Sequence, residues 1–109
     1  MNKKIDDIDF AKSDGLVPVI VQDINSREIL TLAYTNKESL ELSQKTGNSW
    51  FWSRSRNKLW MKGEESGNIQ KVKEILVYCD SDALIYLVDP TGPACHTGEK
   101  VCFHNVLEK

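Results

Sequence analysis

Short apolar runs, separated by polar clusters rich in turn-forming residues, set the first expectations for this chain. Residues 16–22 are apolar and β-branched, with Pro18 near the start, and read as a strand. Residues 23–27 hold Asp, Asn and Ser in a turn-forming stretch, and 28–34 make a second apolar run, so the pair predicts a hairpin. The pattern then becomes helical. Thr35-Asn-Lys-Glu38 has capping-box form, Asn36 is a rival N-cap, and Gly47 stands where a C-terminal glycine belongs; together they predict a helix over about 36–46. Residues 50–55 and 58–62 read as short strands around a turn at Asn57, and 63–68 as a polar loop. Residues 69–78 and 83–88 are the clearest later strands, 89–93 is a turn, and 94–109 reads as irregular or short-stranded. One helix among seven or so short strands predicts a mostly β or α+β fold: a small, partly closed, barrel-like mixed sheet. Residues 1–14 read as a loosely ordered lead-in, and 15–109 as a single domain.

Composition narrows the function. At 109 residues the chain suits one domain with its own core, and 40% apolar with 28% charged residues is ordinary for a folded protein. The formal charge of −2 supplies no basic field, so no nucleic-acid partner is expected. No apolar run reaches the about 18 residues of a membrane span, and the polar start lacks a secretory core. Three cysteines fit a disulfide framework poorly and point to free thiols in a reducing cytoplasm.

Those thiols are the first candidate chemistry. Cys79, Cys95 and Cys102 follow the spacing C-x15-C-x6-C, with His96 directly after the second. Thiolates and imidazoles suit zinc, and three protein ligands plus water is a catalytic arrangement. Buried cysteines acting as small hydrophobes remain the alternative. Asp80 and Asp82 flank Ser81. In an extended chain they share one face and Cys79 takes the other, which separates a hard magnesium site from a soft zinc site; a solvated acidic turn is the competing reading. Trp52, Ser53, Arg54, Ser55, Arg56 and Lys62 form a basic, hydroxyl-rich patch interleaved with Trp50 and Trp60, able to meet phosphate oxygens and stack on a base. The same residues also suit a solvated turn over core tryptophans. His104, near the end, reads as a surface residue.

Taken together, the motifs resemble a known family. Gly15-Leu-Val-Pro-Val-Ile-Val-Gln-Asp23, Phe51-Trp-Ser-Arg-Ser-Arg56, Leu59-Trp-Met-Lys-Gly-Glu64, Ser66-Gly-Asn68, Cys79-Asp-Ser-Asp-Ala-Leu84, Gly92-Pro-Ala-Cys-His-Thr-Gly98 and Cys102-Phe103 resemble phosphoribosyl-AMP cyclohydrolase of histidine biosynthesis, stand-alone form. The resemblance implies a zinc- and magnesium-dependent hydrolase that opens the purine ring of 1-(5-phosphoribosyl)-AMP at N1–C6. It implies a cytoplasmic homodimer with zinc sites shared between subunits. It assigns Cys79, Cys95 and Cys102 to zinc, Asp80 and Asp82 to magnesium, His96 to catalysis, and Trp52 to Arg56 with Lys62 to the substrate. One position departs: Tyr78 stands where the family usually has a third carboxylate, and a neutral phenol is a poor ligand for a hard cation. Two other readings follow: a non-catalytic, zinc-stabilised nucleotide-binding module, and a family member with impaired magnesium use.

Overall fold

Strand β1 (Val17–Asp23) shows why a sheet forms: Val17, Val19, Val21 and Asp23 point into the core while the residues between them do not, the period-two pattern of a pleated strand. The computed structural model describes residues 2–109. β1 pairs antiparallel with β2 (Ile29–Thr35), Val17 opposite Thr35 and Ile20 opposite Leu32, with one register shift between Val21 and Gln22. The expected hairpin is therefore present. Its turn is closed by the Asp23 carboxylate, which accepts the amide N–H of Asn25 (2.8 Å) and Ser26 (3.3 Å).

Helix α1 (Lys37–Thr46) starts at Asn36. The capping residue is Asn36 and not Thr35, and the reciprocal partner is Ser39 and not Glu38. Asn36 Oδ1 accepts the Ser39 amide at 2.8 Å, and Ser39 Oγ accepts the Asn36 amide at 2.9 Å. Thr35 is held back in β2 because its buried hydroxyl bonds Ser39 Oγ and accepts from the Tyr86 hydroxyl at 3.5 Å. Gly47 ends the helix at φ 77°, a left-handed conformation that glycine adopts without Cβ strain. Replacing Asn36 with Ala should destabilise the fold by about 1 kcal/mol, read from the midpoint of urea unfolding at unchanged slope.

β3 (Trp50–Ser53) and β4 (Lys58–Met61) form a separate two-stranded antiparallel sheet, Phe51 opposite Trp60. Asn57 turns the chain at φ 54°. Gly63 follows at φ 86°, where a Cβ would lie 2.5 Å from the backbone of Asn68 and Ile69, so this loop needs glycine. β5 (Gln70–Val77) and β6 (Leu84–Pro90) complete the main sheet, ordered β2-β1-β6-β5. β1 and β6 run parallel, and the other neighbours antiparallel. The fold is α+β with a mixed sheet, as expected; six strands are described, and the main sheet does not close into a barrel. β6 also runs on through Asp89 and Pro90, which the sequence assigns to a turn. Pairing with Lys71 and Gln70 keeps them extended, and proline is tolerated as the last residue.

The inner face of the sheet carries Val17, Val19, Val21, Leu84, Tyr86 and Val88 against Leu40 and Phe51. The Phe51 ring lies 4.9 Å from Trp60 and 5.6 Å from Tyr86. The outer face is also apolar. Leu32, Ile20, Ile85 and Leu76 align in one row across all four strands, and Leu32 (45%) and Leu76 (40%) are exposed. Ahead of β1, residues 5–7 and 11–13 form single 3-10 turns, and Ile8 joins the core.

Candidate active site

The chain after β6 folds back as a small loop. The buried methyl of Ala94 anchors it, the Ala94 amide bonds Lys100 O (3.1 Å), and the Cys95 amide bonds Glu99 O (3.1 Å). A turn from Gly98 N to Cys95 O (3.0 Å) lifts Cys95, His96 and Thr97 to the tip. Cys102 then docks on the edge of the sheet, its amide bonding Leu30 O of β2 at 2.6 Å. Lys100 ties the loop to the β1–β2 turn through Glu28 (2.5 Å) and Asp23 (3.9 Å).

This return brings Cys95 and Cys102 together. The Cys95 thiol is pulled down to about 6 from the usual thiol range, first by the Thr97 hydroxyl, which donates to its sulfur at 3.0 Å. The Thr97 amide, His104 and Cys102 add to this. His104 Nε2 lies 3.8 Å from Cys95 Sγ. His104 is thus a site neighbour that a sequence reading misses; the signal available was its i, i+2 spacing from Cys102, which in an extended segment gives a shared face. His96, by contrast, is exposed at the loop tip. All three cysteines are free.

Cys79 does not join them. It sits in the turn between β5 and β6, whereas Cys102 lies against β2, and these are opposite edges of the sheet. Three strand spacings amount to roughly 14 Å. Among the described residues of one chain, no three or more His, Cys, Asp or Glu side chains converge on a metal-sized site.

Of the two readings of residues 78–82, the structure shows the acidic turn and not the extended chain that would separate a magnesium face from a zinc face. The segment is a tight turn: Ser81 N bonds Tyr78 O (2.7 Å), Tyr78 N bonds Ala83 O (2.9 Å), and Ser81 has φ 62°. Residues 78, 80 and 82 therefore do not alternate along a strand, because hairpin closure between β5 and β6 overrides local extension. Asp82 is paired with Lys12 Nζ at 2.9 Å.

The structure brings the residues of the basic, hydroxyl-rich patch to two adjoining clefts. Trp52, Ser53, Arg54 and Ser55 line a pocket of about 560 Å³ with Leu32, Tyr34 and Trp60. Arg54 lies over the Tyr34 ring, its guanidinium carbon 3.7 Å from the centroid, a cation–π contact that pre-positions the fork. Tyr34 was invisible as a site residue because an aromatic at a strand end reads as packing. Arg56 and Lys62 line an adjoining cleft of about 210 Å³ that shares Trp60. The pocket opens beside residues 32–34 of β2, and Cys102 is anchored at Leu30 of the same strand.

An α+β fold that sets paired thiols beside an aromatic and basic cleft defines the class, a small enzyme. Residues 31–104 match the family model of phosphoribosyl-AMP cyclohydrolase. Similar proteins include the phosphoribosyl-AMP cyclohydrolases of Nitrosopumilus maritimus, 77% identical over 99% of this chain and 100% of that one, and of Cenarchaeum symbiosum, 74% identical over 98% and 99%. The histidine biosynthesis bifunctional protein of Bacillus subtilis is 58% identical over 93% of this chain and 48% of its own length. The chain belongs to the phosphoribosyl-AMP cyclohydrolase family.

Proposed function

We propose that this chain hydrolyses the N1–C6 bond of 1-(5-phosphoribosyl)-AMP in histidine biosynthesis, in the cytoplasm, as a homodimer that holds zinc between subunits. The observation that carries the reading is the pairing of Cys95 with Cys102, which bonds Leu30 of β2, the strand whose Leu32 and Tyr34 help line the pocket with Trp52, Arg54 and Trp60. Two adjacent thiols, one of them largely thiolate at neutral pH, are a soft donor set that fits zinc. A zinc ion bound there would supply Lewis-acid activation of water at neutral pH.

The remaining steps fall to side chains. The pocket volume suits a nucleotide-sized ligand. Trp52, Trp60 and Tyr34 offer π faces to the purine, and Arg54, Arg56, Lys62, Ser53 and Ser55 offer donors to the two phosphates. Substitution at N1 leaves the ring electron-poor, so water adds at C6. The C6–O bond forms and the N1–C6 bond breaks; His96 at the loop tip carries one water proton to N1, and the other goes to the exocyclic nitrogen, which becomes the carboxamide NH2. Replacing Arg54 with Ala should raise KM about ten- to a hundredfold with a smaller change in kcat, because a charge-assisted phosphate contact is lost in ground and transition states alike.

The separation of the thiols and the open outer face support the dimer. Cys79 lines an apolar groove of about 510 Å³ with Ile20, Leu76, Tyr78 and Ile85. Two such faces packed about a two-fold axis bury the apolar row and bring the β5 edge of one copy toward the β2 edge of the other. Ring opening followed by ultraviolet absorbance, on protein whose zinc content is known by elemental analysis, tests the reading. Full turnover in zinc-free protein overturns it.

A further inference from the structure

The turn at residues 78–82 is clamped by the chain ahead of β1. Lys12 Nζ pairs with Asp82 Oδ2 at 2.9 Å, and Asp9 and Asp80 also face this ammonium. The Asp9 amide bonds Ser81 O at 2.7 Å. Lys3 Nζ bonds Ser81 Oγ at 2.5 Å and reaches Cys79 O at 3.5 Å. The oxygens a hard cation would need are therefore largely engaged: Tyr78 O, Cys79 O, Ser81 O, Ser81 Oγ and Asp82 Oδ2 each accept a hydrogen bond from the protein. Magnesium asks for six oxygens in near-octahedral order and binds more weakly as carboxylates are lost. Tyr78 stands with a phenol where the family pattern has a carboxylate, and Lys3 and Lys12 add positive charge. The residues present do not fit a magnesium site.

We propose that the ammonium of Lys12 is the built-in counter-ion of the Asp80 and Asp82 turn and stands in for a divalent cation there, so that this chain orders the turn without magnesium. The inference takes from the family resemblance only the identity of the two carboxylates, and nothing from the proposed function. Its test reads cation binding instead of turnover, so the two can fail separately.

The probe is manganese(II) titrated into the full-length, zinc-loaded protein, with free ion followed by electron paramagnetic resonance. The unaltered protein should show no binding that Asp82→Asn removes. Lys12→Met should bind manganese about tenfold or more tightly, with that gain lost in the double variant carrying Asp82→Asn. Lys12→Arg, which keeps the charge, should behave as the unaltered protein does. Circular dichroism confirms that each variant is folded, as expected for a side chain exposed on the surface. Manganese binding to the unaltered protein that depends on Asp82 and ignores Lys12→Met overturns the inference. So does a Lys12→Met variant that gains no binding, since the ammonium would then not be what keeps the cation away.

Discussion

Serine at position 95 should cost the protein its zinc and its turnover together, with kcat/KM falling by more than about a hundredfold. That exceeds the ten- to hundredfold loss usual for disturbing groups that merely support a metal ligand. Thr97 and its neighbours hold Cys95 at about 6, so near neutral pH the sulfur is mostly an anion and needs little proton release to take a soft metal. A serine hydroxyl stays protonated at that pH and is a harder donor. The loop itself should survive, because its anchors are the Ala94 methyl and backbone hydrogen bonds that serine leaves intact. Elemental analysis, the ultraviolet assay and the melting temperature of zinc-free protein separate loss of metal from loss of fold. Retained zinc with retained turnover in Cys95→Ser would sink the assignment. The same thiol sets a pH signature. Its folded pKa is depressed below the unfolded value near 9, so the thiolate is favoured throughout the window from about 6 to 9 and is lost as pH falls through 6. Alkylation of Cys95 in zinc-free protein should accelerate with a midpoint near pH 6.

Two inactive variants should restore each other. In a shared site, Cys79 of one copy meets Cys95 and Cys102 of the other, so Cys79→Ser and Cys95→Ser homodimers each lack both sites. A mixed dimer concentrates both lesions in one site and leaves the second intact. Random exchange makes half the dimers mixed, each with one of two sites working, which predicts about a quarter of the activity of the unaltered protein. Mixing the two purified variants under exchange conditions and assaying ring opening checks this. No recovery, in a mixture shown to contain mixed dimers, would place Cys79 outside the site. The geometry that motivates the test is the placement of Cys79 and Cys102 at opposite edges of the sheet.

Local signals in the sequence carried far. The β1–β2 hairpin followed from alternating valines and the turn at Asp23, and the helix from its two ends. Yet Asn36 displaced Thr35 as the cap, because Thr35 had a buried partner in Tyr86, 51 residues away. At residues 78–82 the extended alternative gave way to the turn for a similar reason. Asp80, Ser81 and Asp82 suit a turn locally, but that β5 and β6 pair across it was decided by contacts along the length of both strands. Lys12, Tyr34 and His104 each met the site across such distances, and each looked ordinary beside its neighbours in sequence.

By itself, then, the amino-acid order determined which side chains are available: three thiols, the carboxylates Asp80 and Asp82, the Trp52 to Arg56 run with Lys62, and the motif order of a known family. It also determined the strand and helix propensities, since these depend on contacts within a turn or two. Only the tertiary structure decided who stands next to whom. It joined Cys95 to Cys102 and His104, parted both from Cys79, set Lys12 on Asp82, and left one face of the sheet apolar and open. Those outcomes depend on strand order and register, which arise from the packing of residues far apart in the chain and are not encoded in any local window.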